Sequence, residues 1–128
     1  MDGNAGDDNL RGQGHGDSLK GGPDRDIVGG DGSNDDVQAG DGQDNAFGGA
    51  EDDEVDGGPG ADNVLVGGSD TNAALGSDTV RGGGANDAIA AHGDHGNSPD
   101  DVHGGDGYDT CYIDNNFERN VVGCELEL

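Results

Sequence analysis

Tryptophan is absent, aromatic residues make up 3% of the chain, and all hydrophobic types together reach 28% of 128 positions. So little apolar surface cannot by itself offset the entropy of ordering a chain with 29 glycines. Basic residues are as scarce: five Lys+Arg stand against 29 Asp+Glu, a formal net charge of −24. That balance excludes nucleic acid and anionic membranes as partners, because five cations cannot neutralise a phosphate backbone. No apolar run approaches the roughly 18 residues needed to span a membrane. Met1-Asp2-Gly3 has neither the basic start nor the apolar run of a cleavable signal. No nucleophile–base constellation stands out either. Ser18, Ser33, Ser69, Ser77 and Ser98 are turn residues by position, and no apolar cluster builds a substrate pocket, so the chain reads as no enzyme. What remains is at most one domain whose folded state needs another source of free energy, and the surplus carboxylates point to bound cations.

Those carboxylates are ordered. Asp8, Asp17, Asp26, Asp35, Asp44, Asp53 and Asp62 stand nine residues apart. Two residues after each comes an aliphatic: Leu10, Leu19, Val28, Val37, Ala46, Val55 and Val64. With Asp at 24 of 128 positions, seven hits at one phase have a chance of roughly one in 10⁵. The units read GNAGDDNLR, GQGHGDSLK, GGPDRDIVG, GDGSNDDVQ, AGDGQDNAF, GGAEDDEVD and GGPGADNVL from Gly3 to Leu65. The pattern resumes at Asp78/Val80, Asp87/Ile89, Asp100/Val102 and Asp109/Cys111. Two polar insertions, near 69–75 and 92–99, account for the broken steps and read as surface loops. Six residues rich in Gly and Asp form a turn, since their backbone needs positive φ. The other three, such as Asn9-Leu10-Arg11 or Glu54-Val55-Asp56, make a minimal strand with its middle side chain inward. A nine-residue spacing does not fit a helix of 3.6 residues per turn, and glycine costs about 1 kcal/mol per helical position.

The units resemble the nonapeptide GGxGxDxUx of the RTX (repeats-in-toxin) calcium-binding proteins, over about 110 of the 128 residues. The resemblance implies an all-β fold, a right-handed parallel β-roll (solenoid) in which two units make one coil. It implies several Ca²⁺ ions, each between turn n and turn n+2 and held by the Asp and by backbone carbonyls. The candidate ligands are Asp8, Asp17, Asp26, Asp35, Asp44, Asp53, Asp62, Asp78, Asp87, Asp100 and Asp109. On that pattern the seven unbroken units supply five such pairs. Carboxylate and carbonyl oxygens in a flexible loop suit Ca²⁺ better than Mg²⁺. The turns before Asp44 and Asp62 match the fourth motif position with Gly42 and Gly60, whereas Glu51 and Ala85 stand there before Asp53 and Asp87.

Residues 1–110 therefore read as the roll and 111–128 as a C-terminal capping segment. Tyr108, Tyr112, Phe117, Ile113, Val121 and Val122 are expected to cover the open end, as repeat arrays require. Cys111 and Cys124, an even pair in a short chain, suggest a disulfide and an oxidising, extracellular setting, with a metal pair or free thiols as alternatives. His92, His95 and His103 cluster near the second insertion, where exposed loop histidines or a Zn²⁺ site are the two readings. The chain opens partway through a unit, as a piece of a longer exported protein would. The expected function is calcium-coupled folding of a secreted, monomeric module of a larger exoprotein or adhesin. The alternative is a calcium-stabilised scaffold for adhesion or surface binding, ice included, although Thr71, Thr79 and Thr110 follow no repeated row.

Overall fold

The computed structural model describes residues 1–66, 77–91, 100–113 and 119–127. Both expected insertions lie outside the described residues, as do His92, His95 and Phe117.

The described residues contain thirteen strands and no helix. They are β1 (Asn9–Gln13), β2 (Ser18–Pro23), β3 (Ile27–Gly32), β4 (Asp36–Asp41), β5 (Asn45–Ala50), β6 (Glu54–Pro59), β7 (Asn63–Val66), β8 (Thr79–Gly84), β9 (Ala88–Ala91), β10 (Asp101–Asp106), β11 (Asp109–Ile113), β12 (Arg119–Val122) and β13 (Cys124–Glu127). Odd strands form one seven-stranded sheet and even strands a six-stranded sheet. All pairings are parallel, so each strand lies on the one two units earlier: a β-solenoid with two units per coil.

Register follows the aliphatics. Leu10, Val28, Ala46, Val64, Ile89 and Cys111 stack in one sheet. Leu19, Val37, Val55, Val80 and Val102 stack in the other. Apart from partly covered Leu10, every member of both columns is fully buried, and together they form one core cluster. The pairing of Val55 with Val80 and of Val80 with Val102 carries the register across both insertions.

The strands are longer than three residues. Pairing runs on through the glycines of the next unit, as in Gly22↔Gly40 and Pro23↔Asp41. Stacked coils of equal shape bring turn backbone into register as well as strand backbone, so the neighbouring coil extends each strand beyond its own side-chain pattern. Alternation then sets the interior: along Asp35 to Ala39, for example, Asp35, Val37 and Ala39 are buried while Asp36 and Gln38 are not.

The tail continues both sheets. β12 pairs with β10 and β13 with β11, and a disulfide joins Cys111 to Cys124 with a Cα–Cα distance of 5.6 Å. Ile113, Val121 and Cys124 pack against the core. Tyr108, Tyr112 and Val122 do not cover it: they are 75%, 46% and 55% exposed. Their positions on the outward side of turn and strand explain the difference, since alternation leaves inward places to their neighbours.

Candidate metal centre

Each repeated Asp stands at the inward position just before or at the start of a strand, so its side chain enters the interior rather than water. Asp26, Asp35, Asp44, Asp53, Asp62, Asp78, Asp87, Asp100 and Asp109 are all at most 5% exposed, and Asp8 and Asp17 on the first coil are half-buried. The structure arranges them in two stacks: Asp8, Asp26, Asp44, Asp62, Asp87 and Asp109 along one edge, Asp17, Asp35, Asp53, Asp78 and Asp100 along the other.

One backbone rule links the members. The N–H of each Asp donates to Oδ1 of the Asp one coil later, at 2.8–3.0 Å in all nine pairs from Asp8→Asp26 to Asp87→Asp109. The other oxygen fares differently. Oδ2 of Asp8, Asp26, Asp35, Asp44, Asp53, Asp62, Asp87 and Asp109 is buried without a hydrogen-bond partner. A buried carboxylate oxygen with no partner costs on the order of 1–3 kcal/mol or more, so eight in one small domain call for a missing counter-charge.

The glycine that opens most units shapes the space around Oδ2. A Cβ added at Gly12 would lie 2.9 Å from Oδ2 of Asp17 and 2.7 Å from the carbonyl oxygen of Gly30, one coil on. At Gly57 the same atoms belong to Asp62 at 2.9 Å and Gly82 at 2.5 Å. A carboxylate oxygen and a carbonyl oxygen of the next coil thus border one small space, closer than a Cβ tolerates on these glycine backbones.

Electrostatics agree with an uncompensated stack. Burial is the main cause that pushes the Asp53 and Asp78 carboxyls up to about 7 and Asp62 to about 6; stack neighbours add repulsion, and the donated N–H opposes both. Asp35, Asp44 and Asp87 are raised for the same first reason. The described ion pairs, Arg11–Asp31 at 2.9 Å and Arg81–Glu54 at 2.6 Å, lie on the outer surface.

The turns are held by residues that periodicity alone did not single out. Oδ1 of Asp7 accepts the N–H of Arg25 at 3.3 Å, Oδ1 of Asp52 that of Ser77 at 2.8 Å, and Oδ1 of Asn86 that of Tyr108 at 3.0 Å. These bonds run in the opposite direction along the stack, from the residue just before each repeated Asp. The signal was a carboxylate or amide at that place in some units. Two turn positions have positive φ, the second and the fourth of the motif; Glu51 at 82° and Ala85 at 94° occupy the fourth without displacing Asp53 or Asp87 from the stack.

The donor set is hard oxygen throughout. No three His, Cys, Asp or Glu side chains converge on one point among the described residues, so backbone oxygens must complete any cation site. That mixture of carboxylate and carbonyl fits Ca²⁺. His103 sits on the outward side of β10, away from both stacks, and Cys111 and Cys124 are consumed by their disulfide.

Parallel coils whose glycine turns enclose stacked, uncompensated carboxylates define the class: a calcium-binding β-roll. The family profile of the RTX calcium-binding nonapeptide repeat (4 copies) matches residues 1–28, 29–64 and 38–74, together residues 1–74 of the 128. The chain belongs to that family of structural, calcium-binding repeats. No curated protein and no solved structure matches it. Among the described residues, no helix is long and apolar enough to cross a membrane.

Proposed function

We propose that the two Asp stacks take up several Ca²⁺ ions and that this uptake folds the chain outside the cell, as a structural or secretion module of an exported protein. The ligands are the eleven repeated Asp from Asp8 to Asp109, with turn carbonyls as co-ligands. The observation that carries the reading is the row of buried Oδ2 atoms without partners. Metal-free, each folded coil holds charges that the unfolded chain leaves in water; bound, the same charges become the binding energy, so uptake and folding are one equilibrium. Extracellular calcium modules bind at about 10⁻⁴–10⁻³ M, which separates a calcium-poor cytosol from calcium-rich surroundings. No catalytic role is part of this reading. The 111–128 segment, tied back by its disulfide, closes the end of the roll.

The test is far-UV circular dichroism through a Ca²⁺ titration, with Mg²⁺ and a chelator as controls. A cooperative coil-to-β transition with Ca²⁺ alone is expected. A spectrum already β-rich in chelator overturns the coupling of folding to metal.

One observation favours the second reading, a calcium-stabilised scaffold. The outward rows of the odd-strand sheet carry Asn9, Ile27, Asn45, Asn63 and Thr110, and Arg11, Phe47 and Tyr112, and the charge of Arg11 is paired with Asp31 on the same side. Ile27, Phe47 and Tyr112 are 39–46% exposed there. The even-strand sheet instead turns Asp36, Glu54, Asp56 and Asp101 outward. Thr71 lies outside the described residues and Thr79 and Thr110 belong to different sheets, so among the described residues no threonine row supports ice. Retention of the calcium-loaded chain on a solid surface, lost in Phe47→Asp, would favour this second reading; retention unchanged in that variant would sink it.

A further inference from the structure

The turn that leads to Asp44 differs from its neighbours at its first residue. Gly3, Gly12, Gly21, Gly30, Gly48, Gly57, Gly82 and Gly104 occupy that place before eight of the repeated Asp residues, the places before Asp78 and Asp100 lie outside the described residues, and Ala39 occupies it before Asp44. Ala39 is fully buried, so its methyl group lies inside the coil. At the equivalent glycines a Cβ would come within 2.9 Å of the carboxylate Oδ2 and 2.7 Å of the next coil's carbonyl, as at Gly12. The methyl of Ala39 therefore occupies the space that the other turns leave beside Oδ2.

A second observation marks the same place. Between β2 and β4 the ladder continues to Gly22↔Gly40 and Pro23↔Asp41; between β6 and β8 to Gly58↔Gly83 and Pro59↔Gly84; between β8 and β10 to Gly83↔Gly105 and Gly84↔Asp106. Between β4 and β6 it stops at Gln38↔Asp56, the residue before Ala39. The coils rejoin past the turn, where the Gly42 N–H donates to the Pro59 carbonyl at 3.0 Å. Oδ2 of Asp44 remains buried and unpartnered like the others. The charge that calls for a cation is present, but the room and the carbonyl register beside it are altered.

We propose that Ala39 makes the Asp44 turn the weakest Ca²⁺ position among the described turns, so that calcium loads the coils on either side first and this turn last. The proposal rests on the calcium reading above. It also reverses the order that the fourth motif position alone suggests, in which Asp44 ranks with Asp62 at the top.

The experiment is a calorimetric titration of the full chain with calcium chloride, wild type beside Ala39→Gly, with metal-free circular dichroism of both. Wild type should show one step lagging the rest, and Ala39→Gly should tighten that step about tenfold or add one ion to the stoichiometry. A purely structural role for Ala39 predicts the reverse, because a new glycine gains freedom in the unfolded chain and weakens the fold. The metal-free spectrum of the variant should therefore be no more ordered than wild type. Gly12→Ala, the mirror change on the first full coil, should create a second lagging step. Superimposable isotherms for wild type and Ala39→Gly overturn the proposal. Absence of calcium uptake by both chains would instead overturn the reading on which it rests.

Discussion

Two kinds of column run the length of the roll through the same coils, and they are buried to the same degree. The aliphatic columns are fully buried from Leu19 to Val102, and the carboxylates from Asp26 to Asp109 are at most 5% exposed. In the first, every added coil gains apolar contact, at roughly 25 cal/mol per Å² removed from water. In the second, every added coil sets another carboxylate beside the last and leaves another Oδ2 without a partner. The difference is the physical ground for the proposed coupling of folding to calcium. The core is one aliphatic per unit against an equal number of buried charges, a column that a bound cation would convert from a cost into a binding site.

The comparison is open to attack at both columns, and the aliphatic one should yield the largest effect. Ile89→Ala empties the place between Val64 and Cys111 and is expected to lower the stability of the calcium-loaded chain by about 2–5 kcal/mol in urea unfolding. A loss well below that would mean that metal, not the core, dominates the loaded state. Reduction of the Cys111–Cys124 disulfide, or the Cys111→Ser/Cys124→Ser double variant, follows at about 3 kcal/mol for a separation of 13 residues. Its readout is the melting temperature in calcium with and without reductant.

At the carboxylate column the sign itself is the test. Asp62→Asn keeps an oxygen to accept the Asp44 N–H but removes the charge. In calcium it should cost about 1–3 kcal/mol, as a buried site loses its charged partner. In chelator it should increase the β signal, because a repelling group has gone. A loss of structure in both conditions would mean that Asp62 serves as turn geometry alone.

The same repulsion sets a pH dependence. Asp53 and Asp78 at about 7 and Asp62 at about 6 lie above the unfolded value of 3.8, so the metal-free fold holds protons that the unfolded chain has released. That fold should therefore be more ordered at pH 5 than at pH 8, its stability declining as pH rises from about 4 towards 7. Calcium affinity should move the opposite way and weaken on acidification, since ions must displace those protons. Circular dichroism and calcium titration at the two pH values check both halves.

The smallest effect concerns the turn around the stack. Ala85 has φ of 94°, where a Cβ is strained, so Ala85→Gly should stabilise the loaded chain by about 1 kcal/mol. An unchanged urea midpoint would show that the turn relaxes around the methyl group.

Much of this was legible in the chain. The nine-residue period and the phase of Asp and aliphatic follow from residue spacing, the stack order from the family resemblance, and the disulfide was one of three readings of an even cysteine pair. Less legible was the depth of the carboxylates. An acidic, glycine-rich turn reads equally well as solvated, and only inward alternation past the aliphatic puts Asp26 or Asp44 out of water. The aromatic tail misled for the same reason: Tyr108 and Tyr112 look like covering material by composition, yet their places in turn and strand face outward.

By itself the sequence determined the repeat and its phase, because those depend on a unit and its period, and the family resemblance added the two units per coil and so the residues that would meet in each column. The tertiary structure decided which oxygen of each Asp is satisfied, how far each strand extends into its turn, and where the β4–β6 ladder ends, at Gln38 just before Ala39. Each of those depends on a partner coil 18, 22 or 25 residues away, as in Asp44–Asp62, Asp78–Asp100 and Asp53–Asp78. A nonapeptide contains no such partner; the stack supplies it.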